Sequence, residues 1–256
     1  DMPTRFVDFM RVLVPMAGDD TTPEGEQVNI YGNHVGSWNF AATAYLNRWK
    51  VKIYYEHYFD DHSQMFFQYG RWKDGHIGLE ITFPKNRFID TFVYEGLGTK
   101  DQTGPMLYDS FWGEFEEQIS AKDNYYNHYL YQGWQHWGMG IGNPLLPGPI
   151  YNKNGQITFI SNRVLAHHIG FCGSPCQSLS YRMLLSYSRH WGTYDKPLNE
   201  IKKQFNSLFE VTYAPQQLKG WSFTVSGAMD RGNLLGNNYG GMLVIRKQGI
   251  IKSGNK

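Results

Sequence analysis

The chain is 256 residues long, enough for one large β domain or two smaller ones, and its 16% aromatic content (18 Tyr, 16 Phe, 8 Trp) with 28 Gly favours strands and tight turns over helices. A formal charge of +1 with both signs mixed along the chain offers neither a basic face for nucleic acid nor a solvating acidic tail. Mean hydropathy is −0.51 and apolar runs such as Met183-Leu184-Leu185 are short, which excludes a spanning helix of roughly 20 apolar residues but not a membrane barrel, whose strands alternate.

The first segment, Phe6 to Val14, reads equally as a short helix or a strand edge, and residues 17–25 form a polar loop. Beyond it, four segments alternate with period two, so that one face is apolar and the other polar or small. In 51–57 the apolar set is Val51, Ile53 and Tyr55; in 76–83 it is Ile77, Leu79, Ile81 and Phe83. In 180–190 it is Tyr181, Met183, Leu185 and Tyr187, with Leu184 as an intruder on the polar side, and in 221–230 it is Trp221, Phe223, Val225 and Met229. Further strands are expected at 28–35, 37–46, 64–71, 88–95, 127–137, 156–163, 164–172, 206–213 and 239–247. Short turns are expected at Pro84-Lys85-Asn86 and Gly173-Ser174-Pro175, long loops at 96–124 and 138–155, and a helical turn at 198–205. No fixed-period repeat or linker divides the chain, so residues 1–256 read as a single domain. Cys172 and Cys176 flank one of the short turns and are either bonded or two free thiols.

A soluble sandwich alternates in the same way, so the aromatics decide between the two architectures. Trp38, Trp49, Trp72, Trp191 and Trp221 fall near strand ends, where amphipathic rings sit at lipid headgroups. The expected fold is therefore all-β, an antiparallel transmembrane β-barrel, partial with about a dozen strands, with short helical turns in its loops.

Several stretches look like the capsule-assembly Wzi family. They include Gly32-Asn33-His34-Val35-Gly36-Ser37-Trp38, Tyr54-Tyr55-Glu56-His57-Tyr58-Phe59-Asp60-Asp61-His62-Ser63 and Val93-Tyr94-Glu95-Gly96-Leu97-Gly98-Thr99-Lys100-Asp101-Gln102. Farther on come Gly133-Trp134-Gln135-His136-Trp137-Gly138, Ser188-Arg189-His190-Trp191-Gly192-Thr193-Tyr194-Asp195 and Met229-Asp230-Arg231-Gly232-Asn233-Leu234-Leu235-Gly236-Asn237-Asn238. The resemblance implies a Gram-negative outer-membrane barrel that acts as a surface lectin, organises capsular polysaccharide and performs no catalysis. It also implies a larger barrel than a dozen strands supply, so the chain is expected to be a C-terminal portion. Its expected partners are capsular or other surface polysaccharide and outer-membrane lipid, with no nucleic acid, as a monomer without cofactors.

The candidate polysaccharide site is the aromatic and polar run around Tyr125, Tyr126, Tyr129, Tyr131, Trp134 and Trp137, interleaved with Asp123, Asn124, Asn127, His128 and His136. Sugars present apolar C–H faces and hydroxyl edges, and flat rings beside amides, carboxylates and imidazoles match both. The alternative is that these aromatics meet lipid or plug the lumen. Loop residues Asp195, Asp230, Arg231 and Asn237 complete the candidate set; Asp230 and Arg231 read alternatively as a lumen ion pair. No metal is expected: His167 and His168 lie on opposite faces of one strand, and His57 and His62 have no ligand spacing. Two other functions use the same residues: a porin-like channel, and a lipolytic barrel built on Ser180, Ser186 and His190.

Overall fold

The computed structural model describes residues 5–14, 16, 18–21, 35–60, 74–86, 88–100, 104–105, 120–121, 124–127, 134–193 and 196–249. Helix α1 (Phe6–Leu13) is followed by strands β1 (Val35–Leu46), β2 (Trp49–Asp60), β3 (Gly75–Thr82) and β4 (Thr91–Gly98). Four two-residue strands come next, β5 (Gly104–Pro105), β6 (Ser120–Ala121), β7 (Gln135–His136) and β8 (Met139–Gly140). The chain then resumes long strands with β9 (Val164–Cys176), β10 (Leu179–Gly192), β11 (Pro197–Tyr213), β12 (Trp221–Gly232) and β13 (Asn238–Lys247).

The nine long strands form one antiparallel meander in the order β1-β2-β3-β4-β9-β10-β11-β12-β13, while β5 pairs with β6 and β7 with β8. All four alternating segments are strands. The sheet is open: β1 and β13 are its edges and do not pair with each other among the described residues. Connections alternate between its two ends, and the longest, 61–74 and 99–163, both leave from the same end. At the other end β1 turns into β2 through Asn47-Arg48, with Asn47 at φ 57, a conformation asparagine tolerates better than most residues.

Several expected elements differ. Residues 198–205 belong to β11 rather than a helical turn: 202–205 pair with β10, and 198–201 extend the strand across a register shift between Pro197 and Lys202. Gly173, Ser174 and Pro175 continue β9, and the turn falls at Gln177-Ser178. Cys172 and Cys176 thus share one strand and are free thiols. Residues 156–163 are irregular, and of 127–137 only Gln135–His136 is a strand among the described residues. The segments expected at 28–34 and 64–71 lie outside the described residues.

Residues directly opposite in an antiparallel pair share a face. One face carries Ile53, Leu79, Tyr94, Ile169 and Leu185 in a single row across five strands, with Val51, Ile81, Phe92, Phe171, Met183 and Phe209 in the next. Ile53, Ile169 and Phe209 among them are exposed and the rest half-buried, although no described element covers this face; Val225 on β12 is 61% exposed. Aromatic and cationic side chains bound this face at both ends. At one end Trp49 lies 5.0 Å from Phe83, and Lys247 lies 5.4 Å from the Trp221 ring, which stacks on Phe223. At the other end Trp38 meets Phe59, while Lys100 and Arg189 lie 5.0 and 5.3 Å from the Trp191 ring.

The opposite face is polar, with Tyr54, Glu95, His168, Ser186, Asn206 and Asp230 in one row. The molecule's buried apolar cluster sits on this polar side. Tyr125, Tyr126, Leu146 and Phe159 from the long connection between β4 and β9 pack on Val164 and Ala166 of β9, with Tyr58 and Leu97 against them. Residues 124–127 and 134–163 therefore cap the polar face at one end.

Candidate functional site

Between the cap and the polar face lies a cavity of about 760 Å³, in the size range of ligand pockets. Its walls include Ser37 of β1 and Asn206 of β11, which stand six strands apart in the sheet order. A flat sheet would separate them by roughly 29 Å at the usual strand spacing. Lining one cavity requires the sheet to curl around the cap.

The cavity floor is a cluster of ionisable groups delivered by adjacent strands. His76 of β3 lies between two carboxylates, its Nε2 3.4 Å from Glu95 of β4 and its Nδ1 3.8 Å from Glu56 of β2. Ser37 Oγ donates to Glu56 at 2.7 Å, and the Tyr54 hydroxyl donates to Glu95. One strand farther on, His168 Nδ1 and Ser186 Oγ share a hydrogen bond of 2.7 Å, and His190 Nε2 bonds Ser188 Oγ at 2.9 Å. His167, on the other face, stacks on Tyr94 and bonds its hydroxyl at 2.8 Å. The expected opposition of the two histidines is thus observed. Among the described residues no group of His, Cys, Asp and Glu is arranged to hold a metal ion.

The cap is held by amide side chains that replace missing ladder bonds. Asn162 Nδ2 donates to the Tyr125 carbonyl at 2.6 Å and to Asn124 Oδ1 at 2.9 Å, and Asn127 exchanges two 2.8 Å bonds with the Phe159 backbone. Tyr125 and Tyr126 stack at 4.6 Å, and the Tyr126 edge meets Phe159 at 5.3 Å. Gly142 has φ +90, and a Cβ there would stand 2.7 Å from the Tyr126 hydroxyl. That hydroxyl accepts the Asn143 N–H at 3.2 Å. Two buried polar atoms on the cavity wall have no hydrogen-bond partner among the described residues, Asn143 Nδ2 and His190 Nδ1.

The candidate residues disperse. Tyr125 and Tyr126 are 4% and 3% exposed, forming core and cavity wall together, so the plug alternative describes them better than free platforms do. Asn127 is a structural clamp, and Trp134 packs beside the core. His136 and Trp137 stand at the surface, in edge contact with each other. Asp230 accepts from Asn206 at 2.7 Å on the polar face. Arg231, its neighbour along the strand, points to the opposite face, so the anticipated ion pair between them does not form. Asn237 Oδ1 caps the turn by accepting the Gly232 N–H at 3.2 Å. Asp123, Tyr129 and Asp195 lie outside the described residues. Ser186 pairs with His168 rather than His190, and Ser180 lies nearer the other end of β10.

Sequence reasoning passed over His76, His168 and Asn143 as cavity residues. Period-two patterning assigns each to a face at best; only strand register brings His76 between Glu56 and Glu95. Compared with protein-family models, curated proteins and solved structures, the chain has no match.

Proposed function

We propose that this chain forms part of an outer-membrane β-barrel of a Gram-negative cell, of the Wzi type, which binds or anchors surface polysaccharide without catalysis. The observation that carries the reading is the inverted sheet: an uncovered apolar face outside and a polar, capped cavity inside. Along β10 the alternating stretch from Leu179 to Tyr187 spans nine residues, at the lower end of the roughly 9–11 that a tilted transmembrane strand needs. Transmembrane barrels present an apolar band of roughly 25 Å between aromatic girdles. The tryptophans with Lys or Arg against them suit the headgroup level at both ends.

Polysaccharide binding rests on the cavity, where tyrosines stand beside carboxylates, imidazoles and amides, and on the sequence resemblance. A porin-like channel is the second reading, favoured by the continuous polar row from Tyr54 to Asp230; the cap packed over one end of that face weighs against it. Retention of the reconstituted protein on capsule purified from its own strain tests the first reading. Ion conductance in a planar bilayer without such retention contradicts it.

A further inference from the structure

The charge of the cavity narrows the kind of sugar it suits, an inference that rests on the polysaccharide reading. Two carboxylates, Glu56 and Glu95, line it, and no Lys or Arg does among the described residues. Glu56 is bonded by the Ser37 and Tyr58 hydroxyls, and Glu95 by the Tyr54 hydroxyl with His76 Nε2 at 3.4 Å, yet each carboxylate offers about four lone-pair sites. The remaining capacity suits a donor from a ligand. His76 Nδ1, at 3.8 Å from Glu56, is too distant to fill it with a hydrogen bond.

Independent evidence for a ligand comes from the other wall. Among the described residues, Asn143, 8% exposed, leaves its Nδ2 unpaired, and His190, 1% exposed, leaves its Nδ1 unpaired. Buried groups of this kind cost free energy unless something bonds them. Hydroxyl groups supply both donors and acceptors for these two atoms.

We propose that the cavity selects sugar residues bearing a free amine and rejects uronic acids. The ammonium pairs with Glu56 and Glu95 beside His76, and neighbouring hydroxyls satisfy Asn143 Nδ2 and His190 Nδ1. A uronate carboxylate in the same place meets the like charges of Glu56 and Glu95 with no Lys or Arg among the described lining residues to offset them, which disfavours binding.

The test compares short oligomers of equal length of glucosamine, N-acetylglucosamine and galacturonic acid, titrated onto the full chain folded in detergent. The free-amine oligomer is expected to bind about ten-fold tighter than the acetylated one, as charge-assisted hydrogen bonds replace neutral ones. Galacturonate is expected not to bind. The double variant Glu56→Gln, Glu95→Gln is expected to erase the amine preference. Glu56→Gln alone, which leaves the Tyr54 contact with Glu95 intact, is expected to lower the preference several-fold, and each variant is checked for native gel mobility before heating. Galacturonate binding as tight as glucosamine, or a preference unchanged in a folded Gln variant, overturns the selectivity and leaves the glycan reading standing. Failure of all three oligomers to bind overturns both.

Discussion

On the inner strands of the sheet the two faces obey opposite burial rules, whereas the edge strands β1 and β13 are largely exposed on both. On one face apolar groups such as Ile53 and Val225 are 55% and 61% exposed, while on the other Ser188, His190 and Gln204 are at most 2% exposed. A water-soluble sheet does the reverse, because removing apolar surface from water drives its folding. The difference is the basis of the proposed membrane reading, in which lipid covers the apolar face while the polar groups bond one another and the cap.

The cap should be the most sensitive point of this arrangement. Phe159 is 1% exposed and holds Tyr126 edge-on, so Phe159→Ala is expected to cost about 3–5 kcal/mol locally, read as faster hydrogen exchange across 134–163 with the sheet retained. Equal loss of protection in the sheet would show that cap and sheet fold as one unit. On the outer face, Ile169→Lys places a charge mid-band and is expected to destabilise the protein by about 2–4 kcal/mol in lipid vesicles. An unchanged midpoint in denaturant titration would argue that this face meets water.

Gly142→Ala joins a strained backbone to a contact with the Tyr126 hydroxyl, with an expected cost of about 1–3 kcal/mol in thermal unfolding. The smallest effect is expected in α1. Arg5 holds the Asp8 carboxyl below its ordinary value, and the Thr21 hydroxyl with Arg11 does the same for Asp19. A lowered folded pKa stabilises above the unfolded value and is lost as pH falls through the folded one. Protection factors in 6–13, corrected for the intrinsic pH dependence of exchange, should therefore be higher near neutrality and fall below the usual carboxylate range, while those of the strands are retained.

Much of the two-faced pattern was legible in the sequence. Alternation at 51–57, 76–83, 180–190 and 221–230 placed the apolar face correctly, since period two needs no tertiary information. Residues 198–205 read as helical because Ile201, Lys202 and Lys203 break strict alternation; pairing with β10 overrides that local pattern. The cap was legible only as composition. Tyr125 and Tyr126 advertised themselves as ring platforms, yet Asn162 and Phe159, more than thirty residues away, turn them into a core. Contacts at such separation leave no periodic trace. The cavity's acid–imidazole cluster was hidden for the same reason, because it is assembled from β2, β3, β4 and β9 by register.

The claim that the apolar face meets lipid is tested most directly along β12. Spin labels placed singly at positions 221–230, in a Cys172→Ser, Cys176→Ser background reconstituted in vesicles, report access to oxygen and to a water-soluble nickel chelate. The account predicts period-two alternation, with oxygen dominant at Val225 and low at Ser226. Nickel access at Val225 equal to that at Ser226 would contradict it.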